Sequence, residues 1–254
     1  MGVHRKHFLL DMDGVLVRGR TPVPGADEFL RQLEASDRQY LVLTNNSTYT
    51  PADLSHRLAS MGLQVPFQRI FTSAMATANF LHSQRPGGKA YVVGESGLTT
   101  ALHGVGYVIT DLDPDYVVLG EGRLDIEAIT AAVRHVAGGA AFVVTNPDVA
   151  GPSEAGIVPA AGSVAALIQT ATGIAPYVVG KPNPFMFRAA LNHIDVHSED
   201  TIMVGDNLHT DIKGGMESGL ETILVLTGMA AELDVVRSPY RPNQVVGSVA
   251  EIEL

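Results

Sequence analysis

Runs of three to five apolar residues recur along this chain, and each ends abruptly at a polar residue or a glycine. The clearest are Phe8-Leu9-Leu10, Tyr40–Leu43, Ala90–Val93, Tyr116–Leu119, Ala141–Val144, Thr201–Val204 and Thr222–Leu226. Short runs without polar alternation predict strands buried on both faces. Between them, apolar residues fall three and four apart, as helices with one buried face require. Phe29, Leu30 and Leu33 mark such a face after Pro24-Gly25, in a helix through about Ala35. Thr50-Pro51 with Asp53 predicts a helix start and Gly62 its end. Ser73 is expected to cap a helix through about Ser83, and Asn183-Pro184 to open one carrying Phe187, Ala190 and Leu191. A further helix is expected from Thr210-Asp211 to Gly219. Residues 17–20 read as a turn, and the tail from Met229 is weakly patterned, with Val245-Val246 a last edge strand.

Strands alternating with helical stretches imply right-handed crossovers and a parallel sheet, an α/β fold with a Rossmann-like, doubly wound core. Ligands of such sheets bind beyond the carboxyl ends of the strands. Asp11, Thr44 and Asp206 each stand where an apolar run ends, and Lys181 closely follows another, Tyr177-Val178-Val179-Gly180. The topology thus predicts that four groups far apart in sequence meet at one edge. If strand geometry persisted past Leu10, Asp11 and Asp13 would share a side. Two such anions repel unless a cation or a shared proton lies between them.

Asp11, Asp13 and Asp206 make an all-oxygen set suited to a hard cation, and magnesium is the one expected. Beside it stand a hydroxyl (Thr44), an amide (Asn45), an ammonium (Lys181) and the backbone amides around Asp13 and Gly14. That set matches the needs of a phosphoryl group, whose oxygens want positive charge and donors. With that charge neutralised, one carboxylate can attack phosphorus while a second passes protons to the leaving oxygen and from water.

Composition narrows the classes. The 254 residues carry a formal charge of −10, which argues against nucleic-acid polymers and anionic membranes as partners. No cysteine is present, so disulfides, thiolate metal sites and a cysteine nucleophile are excluded. The nine histidines lack metal-ligand spacing, and the paired glycines at 87–88, 138–139 and 214–215 form no dinucleotide fingerprint. The basic N-terminal stretch to His7 runs straight into a strand with Asp11 inside it, so no signal peptide is expected and a cytoplasmic location is. The phrases Tyr91–Gly94, Tyr116–Gly120 and Tyr177–Gly180 share strand-then-turn grammar without a true repeat.

Asp11-Met12-Asp13-Gly14-Val15, Thr44-Asn45, Lys181-Pro182 and Gly205-Asp206-Asn207 with Asp211 resemble, in order, the four motifs of the haloacid dehalogenase superfamily of phosphatases. Pro24-Gly25-Ala26, Thr72-Ser73-Ala74, Tyr91–Glu95 and Thr145-Asn146-Pro147-Asp148 resemble its branch of NagD-like nucleotide and p-nitrophenyl phosphatases. The resemblance implies a magnesium-dependent phosphomonoesterase acting on small phosphate esters, nucleoside monophosphates first and sugar or aryl phosphates next. By position it makes Asp11 the nucleophile that forms an aspartyl-phosphate, and Asp13 the general acid and base. Asp11, Asp206 and the Asp13 backbone carbonyl would hold magnesium. Gly14, Thr44, Asn45 and Lys181 would hold the phosphoryl group, with Asn207 and Asp211 supporting. The resemblance also implies an inserted α/β cap over 85–176 in a core of 1–84 and 177–254. Asn146 and Asp148 are the cap residues expected to read the leaving group. A phosphotransferase and a phospho-ligand sensor are the rival readings. The sequence leaves the oligomeric state, a homodimer included, open.

Overall fold

A computed structural model describes residues 6–153 and 156–254. The basic residues before Lys6 lie outside them. The chain divides into two compact units, one of residues 1–44, 51–71 and 181–254, the other of 45–50 and 72–180.

The first unit is built on a six-stranded sheet. Its order is Gln244–Val246, Glu221–Val225, Thr201–Gly205, His7–Leu10, Tyr40–Thr44, Ile70–Thr72. The strand His7–Leu10 pairs in parallel with both Thr201–Gly205 and Tyr40–Thr44. The chain therefore winds outward on one side of His7–Leu10 and returns on its other side. The switch point of this doubly wound sheet lies between His7–Leu10 and Thr201–Gly205, where ligand crevices form. Register does the rest. Leu10 stands opposite Val204, so the next residues of the two strands bring Asp11 beside Gly205 and Asp206 just beyond.

The apolar runs form strands because both faces are covered. Phe8, Leu10, Val42, Val204 and Ile223 pack with Phe29, Leu30 and Leu33 of helix Ala26–Ala35. Full burial of each such side chain contributes about 1.5–3 kcal/mol. Residues 17–20, expected as a simple turn, instead belong to a small antiparallel hairpin, Val17–Arg18 with Thr21–Pro22. The weakly patterned tail contains helix Glu232–Arg237 before the edge strand Gln244–Val246.

The second unit has its own parallel sheet, in the order Tyr177–Val178, Ala141–Val144, Tyr116–Leu119, Lys89–Val93, Val108–Ile109. An antiparallel hairpin, Ala150–Ser153 with Gly156–Pro159, was not legible as strands, being rich in glycine and proline. Helix Ser73–Gln84 also belongs to this unit, although it precedes residue 85, where the inserted cap is expected to begin. Thr72, not Ser73, caps it, accepting from the Met75 amide. The Ser73 hydroxyl is spent on the Asn45 carbonyl at 2.6 Å. Segment 45–50 lies across the carboxyl ends of this second sheet. Ser47 Oγ accepts from the Glu121 amide at 2.8 Å and from Thr145 Oγ1 at 3.2 Å, and the Gly97 amide donates to the Thr48 carbonyl. The crevice at this sheet's switch point is thus filled by the protein's own chain.

No helix among the described residues is long and apolar enough to cross a membrane.

Candidate active site

Three strand ends of the first unit and the turn before one of its helices supply the site. Asp11 follows His7–Leu10 and stays in the ladder, its amide donating to the Val204 carbonyl at 2.9 Å. Asp206 follows Thr201–Gly205. Thr44 is the last residue of Tyr40–Thr44 and is buried. Lys181 precedes a cis peptide to Pro182 and leads into helix Pro184–His193, which Asn183 caps by accepting from the Phe185 amide at 2.9 Å.

Lys181 organises the charges. Its side chain is 2 % exposed, and its Nζ donates to Asp11 Oδ1 at 2.7 Å and to Asp211 Oδ1 at 2.6 Å. Burial pulls its pKa down, but the two carboxylates more than offset this and hold it above the ordinary lysine value. An ammonium removed from water survives only with such partners.

Asp211 was expected near a helix start at Thr210. The helical segment starts earlier, at Leu208, capped by Asn207 Oδ1 on the His209 amide at 2.8 Å. Asp211 is fully buried in it, one oxygen on Lys181 and the other accepting from the Asn207 amide at 3.2 Å. Both of its oxygens are engaged, so it supports Lys181. Asn207 acts on the helix end and on Asp211.

The carboxylates that gather are Asp11, Asp206 and Asp211, each with an oxygen within 4.8 Å of the others. Asp13 is not among them. The strand stops at Leu10, and residues 12–17 turn back through a bridge between Asp13 and Val17. Asp11 is consequently buried and Asp13 exposed. Burial lifts the Asp11 carboxyl to about 7, with Lys181 opposing and Asp206 and Asp13 adding to the rise. Burial and then Asp211 lift Asp206 to about 6. Asp211 is also lifted to about 6, by burial first. Asp13 is raised above the ordinary range by its crowded setting, against Lys181 and Arg57. One buried ammonium does not balance three buried carboxylates. An excess of negative charge on hard oxygen donors is what a divalent cation such as magnesium fits.

Three glycines admit these carboxylates. A methyl on Gly14 or on Gly228 would overlap Asp206 Oδ2, and one on Gly205 would overlap Asp211. Gly14 also turns the chain with φ +82°. Its amide, expected to face a phosphoryl group, donates instead to the Val17 carbonyl at 2.7 Å. Its carbonyl accepts from Thr227 Oγ1 at 2.6 Å. The contribution of Gly14 is therefore space and direction.

The loop Thr227-Gly228-Met229 escaped the sequence reading. The Met229 amide donates to Asp206 Oδ2 at 2.7 Å, and the Ala230 amide to the Asp206 carbonyl at 3.0 Å. A signal was present: this loop follows Glu221–Val225, a further strand ending at the same edge.

In the second unit, Asn45 and Asp148 are bonded to each other, Nδ2 to Oδ2 at 3.2 Å. Asn146, expected to read a leaving group, is fully buried. Its Nδ2 donates to the Asn45 carbonyl at 3.0 Å and to Thr145 Oγ1 at 3.3 Å, and its Oδ1 accepts from the Asp148 amide at 3.1 Å.

Comparison with known proteins agrees with this architecture. Residues 8–108 match the family described as haloacid dehalogenase-like hydrolase, and residues 178–252 match a HAD-hydrolase-like family. Dihydroxyacetone phosphatase of Corynebacterium glutamicum (strain R) is 55% identical over 246 residues, covering 96% of this chain and 90% of that protein. Ribonucleotide monophosphatase NagD of Escherichia coli (strain K12) is 46% identical over 250 residues, covering 98% of each. The solved structure of NagD from E. coli K-12 superposes with a TM-score of 0.93 at 44% identity, over 99% of both chains. Glycerol phosphate phosphatase Rv1692 from Mycobacterium tuberculosis, solved in complex with magnesium, superposes with a TM-score of 0.91 at 31% identity, over 97% of this chain and 75% of that one. With its motifs at the ends of parallel strands and these relatives along almost its whole length, the chain belongs to the haloacid dehalogenase-like hydrolases, in their NagD-like branch of phosphatases.

Proposed function

We propose that this phosphatase hydrolyses small phosphomonoesters through an aspartyl-phosphate on Asp11. The observation that carries the reading is Lys181, a buried ammonium held between Asp11 and Asp211 at the switch point of the sheet. It fixes the Asp11 carboxylate and places positive charge where phosphoryl oxygens arrive. Asp11 attacks phosphorus, and the bond from phosphorus to the ester oxygen breaks. Asp13, exposed and with a raised pKa, gives that oxygen its proton. Asp13 then takes a proton from water, which attacks the aspartyl-phosphate, releases inorganic phosphate and restores the Asp11 carboxylate. Thr44 and Lys181 hold the phosphoryl oxygens throughout. Magnesium, held by Asp11, Asp206 and the Asp13 backbone carbonyl, would neutralise phosphoryl charge. Asp211 and Asn207 keep Lys181 and the Asp206 loop in place.

For the substrate we place dihydroxyacetone phosphate ahead of nucleoside monophosphates. The order rests on 55% identity to the phosphatase named for the first against 46% for the one named for ribonucleotides. Acid sugar phosphatase of Staphylococcus aureus, 36% identical, keeps sugar phosphates as the third group. The enzyme is expected to act in the cytoplasm. The test is phosphate release from a panel of triose phosphates, nucleotides and sugar phosphates, ranked by kcat/KM with magnesium and with excess chelator. A panel without turnover overturns the reading, and full activity in chelator overturns the metal assignment.

A further inference from the structure

Four buried polar side chains of the second unit, Ser47, Ser73, Thr145 and Asn146, surround one point of the chain, and the phosphatase mechanism uses none of them. That point is Asn45. Its carbonyl accepts from Ser73 Oγ at 2.6 Å and from Asn146 Nδ2 at 3.0 Å. A second stretch is tied to the same place. The Gly180 amide donates to the Thr145 carbonyl at 2.8 Å. A methyl on Gly180 would lie 2.7 Å from Asn45 Oδ1 and 3.2 Å from the Asn146 Cα. Strand end Thr145-Asn146 therefore fastens residues 45 and 180 together.

The residues next along the chain are Thr44 and Lys181, the two side chains assigned above to the phosphoryl oxygens. We propose that Asn146 is a positioning residue for phosphoryl transfer: its carboxamide sets the backbone at Asn45, and the main chain of its strand end sets Gly180, the two residues from which Thr44 and Lys181 are delivered. This rests on the phosphatase reading and extends it. Asn146 reads no leaving group, because both faces of its amide are spent inside the protein. Misplacement of reacting groups by about 1 Å is enough for losses on the order of 100-fold.

The test compares Asn146→Ala, Thr145→Val and wild type with dihydroxyacetone phosphate, adenosine monophosphate and p-nitrophenyl phosphate, in magnesium. Thr145→Val removes the weaker partner of the Asn146 amide and the bond to Ser47 Oγ, and leaves the bond to Asn45 and the main-chain carbonyl that holds Gly180. Asn146→Ala should lower kcat/KM by about 10- to 100-fold and by the same factor for all three esters. It should also weaken competitive inhibition by inorganic phosphate. Thr145→Val should match wild type in both, even where its melting temperature falls equally. Should Asn146→Ala fail to fold, Asn146→Ser serves, since its hydroxyl can still accept from the Asp148 amide but does not reach Asn45. A loss confined to one ester makes Asn146 a leaving-group reader and overturns the proposal. Equal losses in Asn146→Ala and Thr145→Val reduce it to structure and overturn it too. Wild-type protein that releases phosphate from none of the esters overturns the phosphatase reading, and this inference with it.

Discussion

Replacing Asp11 by asparagine should destroy the enzyme and strengthen the protein. The carboxyl is held at about 7 against an ordinary 3.8, mainly by burial. Keeping it ionised at pH 8 therefore costs about 4 kcal/mol of folding stability. The amide is isosteric and pays no such cost, but it gives up the charge-assisted bond from Lys181 at 2.7 Å. The raised pKa already carries that attraction, since Lys181 opposes the rise, so about 4 kcal/mol is the net gain. Asp211 stays on the ammonium at 2.6 Å. The variant should thus be more stable by about 4 kcal/mol in excess chelator at pH 8, at about 2–4 °C of Tm per kcal/mol. The sign with pH follows from an acid whose folded pKa lies above its unfolded one. Its cost is fully present above pH 7 and vanishes as pH falls toward 3.8. The gap in Tm should be widest at pH 8 and less than half as wide at pH 5. Activity with magnesium should fall by on the order of 10⁴-fold or more. Melting by circular dichroism at the two pH values and a phosphate-release assay measure both. A variant less stable than wild type at pH 8, or a gap that ignores pH, refutes the electrostatic argument. A kcat within tenfold of wild type refutes the nucleophile.

Lys181→Met leaves Asp11 and Asp211 buried without their cation; stability in urea should fall by about 3–5 kcal/mol and kcat by about 100- to 1,000-fold. A variant as stable as wild type would show that the carboxylates find other compensation. Gly14→Ala forces a methyl onto Asp206 Oδ2 in a φ +82° turn. The magnesium concentration for half activity should rise by about tenfold or more, and an unchanged titration curve would show that Asp206 is not confined there. His7 Nδ1 accepts from the Gln39 amide at 3.0 Å, so the ring is bonded in its neutral form. Burial lowers its pKa first, Asp200 opposes and Arg38 adds, so its contribution is whole above pH 6.5 and is lost as pH falls below it. Tm plotted against pH should show wild type losing ground below pH 6.5 to His7→Asn, whose Oδ1 remains an acceptor, and parallel curves would exclude it.

Much of the site was legible because its residues sit where apolar runs stop. A run such as Phe8-Leu9-Leu10 declares a buried strand, and in a doubly wound sheet strand ends converge. Asp11, Thr44 and Asp206 follow from that rule alone; Lys181 does not, because the run before it, Tyr177–Val178, is a strand of the second sheet and Lys181 stands in the turn before helix Pro184–His193. Strand geometry does not reach Asp13, because the strand ends at Leu10 and a glycine turn leaves this carboxylate exposed, though still in electrostatic reach of Asp11 and Lys181. Asp211 escaped as a core member because a carboxylate in a helix's first turn ordinarily faces water. Lys181, arriving from thirty residues earlier, and the Asn207 amide make its full burial tolerable.

What the sequence determined by itself was the sheet, the edge on which chemistry gathers and the residue types that suit a phosphoryl group, since all three depend on local patterns of apolar and polar positions. What the tertiary structure alone decided was the division of labour among those residues. It paired Lys181 with Asp11 and Asp211, gave Asp206 its room between Gly14 and Gly228, and turned Asn146 inward to hold Asn45. The reason is that a charge or an amide acquires its role from partners, and the hydrogen-bonded partners among these stand 30 to 170 residues apart in sequence.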